Sequence, residues 1–188
     1  MNFIYLPEIH VTSDTHFGHR NIIPYEDRPF KDVDEMDEAL IENWNREVKK
    51  DDLVIHVGDL FLCGAKKAEE IAKRLNGRKI LVKGNHDSFS KAKYAKMGFD
   101  LRNYLYLDDY LFSHYPLNAK MLEVAQSQTD MQANIHGHVH SMTQGLDRGV
   151  HFCVCTEHTH YTPVPFWEIK DYYNAGIYLE RGETKFAY

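Results

Sequence analysis

Three times in its first half, the chain follows a short strand-like run with a polar cluster and then with a helix-like segment. Ile9 to Ser13 ends in Asp14-Thr15-His16. Leu53-Val54-Ile55-His56-Val57 stops at Gly58-Asp59, and Lys79-Ile80-Leu81-Val82-Lys83 stops at Gly84-Asn85-His86-Asp87. Between these runs, apolar residues recur at helical spacing: Val33, Met36, Leu40, Trp44 and Val48, then Ala68, Ile71, Ala72 and Leu75. Asp32, with Glu35 three residues on, suits the start of the first helix. Gly77 suits the end of the second. A third helix is expected from about Ser88 to Met97, with Gly98 after it. A β-α-β-α-β order of this kind favours an α/β sandwich.

The second half reads as β-rich. Leu101 to Leu107 and Tyr110 to Ser113 flank Asp108-Asp109 and suggest a hairpin. Asn134 to His136, Val150 to Thr156 and Phe166 to Glu168 are expected strands, and a last hairpin is expected about Arg181-Gly182. With 188 residues and no linker-like stretch, residues 1–188 are expected to form a single domain. A hydrophobic content of 43% and a charged content of 27% set aside disordered and coiled-coil classes. The net charge of −6 argues against a duplex binder and against a stable nucleic-acid complex. Three cysteines do not make a disulfide framework. Met1 to Glu8 lacks the basic start and apolar stretch of a signal peptide. No apolar run approaches the roughly 18–20 residues that span a bilayer. A cytoplasmic chain without membrane contact is therefore expected, and the oligomeric state is left open.

Twelve histidines are an unusual number, and their placement is informative. Five clusters follow expected strands: Asp14-Thr15-His16, Gly58-Asp59, Gly84-Asn85-His86-Asp87, Ser113-His114 and Gly137-His138-Val139-His140. Sites in open α/β sheets gather beyond the carboxyl ends of strands. Carboxylate oxygen, amide oxygen and imidazole nitrogen together suit divalent Mn, Fe, Zn or Ni. Alone, Asp14-Thr15-His16, Gly58-Asp59 and His114 read first as plain turns or an ordinary histidine, and only Gly137-His138-Val139-His140 reads equally as a polar strand end or a ligand pair; their joint order is what carries information. In an extended segment, His138 and His140 point to one face.

That order resembles the calcineurin-like metallophosphoesterase superfamily. Ser13-Asp14-Thr15-His16-Phe17-Gly18-His19-Arg20-Asn21 is further similar to its small single-domain branch in bacteria and phages. The resemblance implies a four-layer α-β-β-α sandwich with two mixed β-sheets, and a dinuclear centre with two divalent ions, Mn²⁺ first among them. It implies that Asp14, His16 and His140 hold one metal and that Asn85, His114 and His138 hold the other, with Asp59 bridging. His86 would stand beside the substrate as proton donor, oriented or polarised by Asp87. The implied reaction is in-line attack of a metal-bridging hydroxide on phosphorus. Two divalent ions, two carboxylates and that hydroxide leave a centre of roughly +1 inside an acidic protein.

His19, Arg20 and Asn21 follow the first ligand pair and are expected to line the substrate mouth. Loop position also puts Arg28, Tyr115 and Asn118 within reach of a substrate. His56 reads as a core histidine or one lying behind the ligands, and His136 as either a core residue or a site residue. Cys153-Val154-Cys155-Thr156-Glu157-His158-Thr159-His160 superficially resembles a zinc site but is expected to be a plain strand. Its cysteines would share one face and its histidines the other.

The protein phosphatases of the superfamily carry an arginine after Gly-Asp, to grip a terminal phosphate dianion. Here Leu60-Phe61-Leu62 follow instead, which tilts the expectation to a small, soluble, nucleotide-like phosphodiester, unless Arg20 or Arg28 substitutes. The alternatives are a nuclease acting on single-stranded nucleic acid and a phosphoester-binding module without turnover.

Overall fold

A computed structural model describes residues 7–178. Its first half holds β1 (Ile9–Thr12), α1 (Ile22–Tyr25), α2 (Val33–Glu47), β2 (Leu53–His56), α3 (Ala65–Arg74), β3 (Arg78–Val82), α4 (Lys91–Lys96) and β4 (Phe99–Arg102). The second half holds β5 (Leu105–Leu107), β6 (Tyr110–Ser113), α5 (Ala119–Gln128), β7 (Ala133–His136), β8 (His151–Cys153), a 3-10 turn at Thr156–His158, β9 (Val164–Pro165) and α6 (Phe166–Asn174).

Two mixed sheets result. The first runs β4-β3-β2-β1-β9, parallel except for β9. The second runs β5-β6-β7-β8, parallel except for β5. Helices α2, α3 and α4 close the outer face of the first sheet. Asp32 starts α2, its carboxylate accepting from Glu35 N–H at 2.9 Å. The stripe Met36, Leu40, Ile41 and Trp44 then packs against Ile71, Leu81 and Phe99. Trp44 is 1% exposed, and burial of such a side chain is worth about 1.5–3 kcal/mol. Its indole N–H donates to the Asn76 carbonyl at 3.0 Å.

A second core lies between the sheets: Val11, Ile55, Val57 and Val82 against Phe112, Ile135 and Phe152, with Phe166 and Ile169 of α6. Tyr110 and Phe112 point into it, so Leu111 and Ser113 face the other side of β6, where α5 lies.

Several expectations need correction. Leu101 to Leu107 is not one strand: β4 ends at Arg102 in the first sheet and β5 begins at Leu105 in the second. The Asp108-Asp109 hairpin holds, with φ of 49° and 64°, as a tight two-residue turn requires. Strand β8 stops at Cys153, because Cys155 pairs only through an isolated bridge to Ser13 and the chain then turns. Phe166 to Glu168 opens α6; the strand is Val164–Pro165 just before it. The expected β-rich half also contains α5, a helix none of whose residues is buried. The hairpin expected about Arg181-Gly182 lies outside the described residues. Among the described residues, no helix is long and apolar enough to cross a membrane.

Candidate metal centre

Parallel pairing puts the carboxyl ends of β1, β2 and β3 on one edge, and those of β6 and β7 on one edge of the other sheet. Asp14 and His16 leave β1, Asp59 leaves β2, Asn85 and His86 leave β3, His114 leaves β6, and His138 and His140 leave β7. The backbone bends sharply there. Asp14 (φ 56°), His16 (51°), Asp59 (56°), His138 (70°) and His140 (47°) all adopt the left-handed region. Each such residue costs on the order of 1–3 kcal/mol and persists only where its surroundings over-determine it. Here Asp14 N–H donates to Gly58 O and His16 N–H to Asp59 O, each at 3.0 Å. Two glycines permit the close approach. A Cβ at Gly84 would lie 2.2 Å from Asp59 Oδ1, and one at Gly137 would lie 2.2 Å from Asp14 Oδ2.

The side chains converge in two groups. In the first, Asp14 Oδ1 lies 3.9 Å from His16 Nε2 and 3.7 Å from His140 Nε2. In the second, Asp59, His114 and His138 bring their donor atoms within 4.8 Å of one another. Asp59 Oδ2 joins the groups, 3.6 Å from His16 Nε2 and 3.4 Å from His114 Nε2. Asn85 Oδ1 stands 2.9 Å from His114 Nε2. The His86 side chain is 44% exposed, its Nε2 4.0 Å from Asp59 Oδ2.

This donor set fits cations. His114 Nδ1 faces only the Val57 carbonyl, at 2.9 Å, and His140 Nδ1 faces Glu157 Oε1, at 3.1 Å. Each Nδ1 therefore carries a proton and donates, which leaves Nε2 of each ring, aimed inward, as the atom that holds either a second proton or a cation. Nε2 of His114 lies against Asn85 Oδ1 and Asp59 Oδ2, a cluster of acceptors that requires positive charge at its centre, either a proton on that nitrogen or a cation in its place. Asp14 Oδ1 and His16 Nε2 are buried without any hydrogen-bond partner among the described residues. Burial pushes Asp14 up to about 6, against the pull of His114 and His140. Burial also opposes charge on Asp59, but the His114 hydrogen bond and charge bring it down to about 2. Burial holds His16 well below its ordinary value. Burial would lower His140 too, yet Glu157 and Asp14 lift it to about 9.

The family model for calcineurin-like phosphoesterases matches residues 7–128. The chain belongs to that family. A gene 66 protein of Mycobacterium phage L5 is 30% identical over 169 residues, covering 74% of this chain and 80% of its own length. An uncharacterized protein of Methanocaldococcus jannaschii is 49% identical over 86 residues, covering 45% of this chain; the match spans about half, 49%, of that relative's length. The crystal structure of a protein of unknown function from Aquifex aeolicus superposes with a TM-score of 0.71 at 28% identity, over 88% of this chain and 99% of that one. Family membership and the two ligand clusters together support a metal-dependent phosphoester hydrolase.

Within this calcineurin-like framework, several residues take other places than their sequence suggests. Arg28 is 4% exposed, so it does not reach toward a substrate. Its guanidinium donates to Glu157 Oε1 at 2.6 and 3.0 Å and to the Asp14 and Thr15 carbonyls at 2.7 and 2.9 Å. Glu157, buried beside it, in turn holds His140. Burial opposes its charge, but Arg28 and His140 bring it down to about 2. Sequence reasoning missed Glu157 inside the segment taken as a strand. The available signal is chemical: a ligating imidazole needs an acceptor for its second nitrogen.

Asp87 also differs from expectation. Its carboxylate accepts from the N–H groups of Asp59, Leu60 and Gly84 and from the Tyr94 hydroxyl, so it fastens the loops carrying Asp59 and His86 rather than the His86 ring. Asn118 caps α5, accepting from Met121 N–H. His19 stands at the centre's rim, its ring 5.3 Å from that of His16, while Arg20 and Asn21 are exposed on the turn into α1. His56 is a buried residue behind the ligands, 3.0 Å from Thr15 Oγ1 and stacked on Trp44. His136 is fully buried, its Nδ1 against Gly137 O. Cys155 donates its thiol to Asp14 Oδ2 at 3.4 Å, and His158 donates to the His140 carbonyl. Both thus brace the first group of ligands.

Proposed function

We propose that this chain is a dinuclear metal-dependent phosphodiesterase acting on small, soluble, nucleotide-like esters. The observation that carries the diester reading is the burial of Arg28 against Glu157. A monoester dianion asks for a guanidinium clamp. Leu60 and Phe61 fill the positions after Asp59 as core residues, which leaves Arg20 as the exposed arginine beside the first motif.

When bound, paired divalent cations supply the positive charge that holds a phosphoryl oxygen and lowers the pKa of water. The chain's own residues do the rest. Asp14, His16 and His140 form one half of the cradle; Asn85, His114 and His138 form the other, and Asp59 reaches both. Asn85 contributes an oxygen without cancelling charge. His86, exposed beside Asp59, donates a proton from Nε2 to the departing oxygen. His19 lines the mouth, with Arg20 and Asn21 next on the same turn.

The test is a matrix of Mn²⁺, Fe²⁺, Zn²⁺ and Ni²⁺ against a bis-aryl diester and an aryl monoester. Expected is turnover that favours the diester and falls about 10²–10⁴-fold in His86→Ala, with metal content unchanged. Absence of turnover on both esters with all four metals would remove the proposal.

A further inference from the structure

Outside the ligand cluster, a groove of about 650 Å³ lies between α5 and the outer face of β6. Its walls are apolar yet open: Tyr104 is 66% exposed, Tyr106 38%, Met121 53% and Val124 48%. Helix α5 forms one wall without burying any residue. His114 and Tyr115 are among the groove's lining residues. The Tyr115 ring lies 4.2 Å from that of His138 and 5.2 Å from that of His114. The groove and the second half of the centre thus share His114 and meet at the Tyr115 ring. Lys83 and Lys120 line the same groove, exposed and without an ion-pair partner among the described residues. Local positive charge in a chain of net −6 marks a place for an anion. Aromatic faces, two free ammonium groups and contact with the centre together describe a flat ring attached to a phosphate.

The position also says which substituent of a diester goes there. The ring of His86 lies 5.4 Å from that of His16, in the first half, whereas the groove is lined by His114 and by Tyr115, whose ring packs on that of His138. The departing alcohol belongs near His86 and the retained one in the groove. We infer that the groove between α5 and β6 seats the nucleoside that stays on phosphorus, with Tyr104 and Tyr106 against its base and Lys83 and Lys120 facing its anionic oxygens. The inference rests on the diesterase reading. In the reaction, a water oxygen bonds to phosphorus and the bond from phosphorus to the departing alcohol breaks. One water proton leaves with that alcohol, the other is released to solvent, and a nucleoside monophosphate remains in the groove.

The test compares two diesters sharing one leaving group, thymidine 5′-(4-nitrophenyl phosphate) and methyl 4-nitrophenyl phosphate. In parallel, thymidine 5′-monophosphate binding is titrated calorimetrically on the metal-replete protein. Expected is a preference for the nucleoside diester of at least about tenfold. Tyr104→Ala should lower kcat/KM on it roughly 5- to 100-fold more than on the methyl diester and weaken monophosphate binding similarly, the range set by base–aromatic stacking. Val124→Glu, on an exposed position, should act in the same direction.

Equal use of both diesters, or equal losses on both in the variants, would overturn the groove while leaving the diesterase reading intact. If neither diester turns over, that reading fails. The groove is then decided by calorimetry alone: binding that weakens in both variants supports it, and unaltered binding overturns it. A dimer that Val124→Glu disperses would give the groove to a second copy of the chain and overturn the inference.

Discussion

The two halves of the centre are built to different standards. Asp14 and His16 are buried, and His140 is held from behind by Glu157, which is itself fastened by Arg28. Ser13, Cys155 and the His138 N–H all converge on the other oxygen of Asp14. The second half has one buried imidazole, His114, fastened to a backbone carbonyl; Asn85 is exposed and His138 is half-buried. A donor set locked from behind holds its ion in a fixed geometry, whereas a rim set admits exchange and substrate. On the proposed reading, retention falls to the first set of residues and turnover to the second.

Asp59→Asn attacks the one group common to both halves, so it should have the largest effect. It should cost more than the roughly 100-fold in metal affinity that loss of an outer partner costs, and both ions should be lost together in elemental analysis. Loss of a single equivalent would show that the halves are independent. Glu157→Gln tests the locked half alone. The expected loss there is roughly 10–100-fold in affinity, with stoichiometry falling from two metals to one at limiting metal. The same change leaves Arg28 buried without its anion, so chemical unfolding should report a destabilisation of about 3–5 kcal/mol.

His56 underlies the locked half through Thr15, and its effect is read in the metal-free protein. Burial holds it down to about 3, from an ordinary 6.5. Its neutral form therefore contributes stability that is fully present above pH 6.5 and is lost as pH falls toward 3. The slope in that window approaches about 1.4 kcal/mol per pH unit. His56→Leu should flatten it, and an unchanged slope would assign the acid lability elsewhere. The smallest effect belongs to the rim. Arg20→Ala should raise KM by up to about fivefold with kcat unchanged, as for an exposed charge worth at most about 1 kcal/mol.

The legibility of the sequence follows the same division. Atoms suited to hold a cation must be of particular types at particular strand ends, so the candidate set Asp14, His16, Asp59, Asn85, His114, His138 and His140 is visible in the chain. What stands behind them is a matter of shape. Glu157 sits 17 residues beyond His140 and meets it only because β8 stops and the chain turns. Arg28 looks like a surface loop arginine until the fold closes over it. In the scaffold, α2 is legible because Met36, Leu40 and Trp44 must face one core. Helix α5 is not, because it buries nothing and leaves no periodic demand on its sequence. The break at Asn103-Tyr104 is hidden because β4 and β5 are both apolar enough to read as one run, although they belong to different sheets.

The left-handed backbone at five of the candidate ligand positions also sets how this protein responds to random change. At such positions glycine relaxes the main chain that an imidazole or carboxylate strains. A screen for thermal resistance alone would therefore drift toward glycine at His138, whose half-buried ring makes no hydrogen bond among the described residues, and would deliver hardier variants with a depleted centre. Selection for heat tolerance in this fold must be coupled to a functional assay at every round.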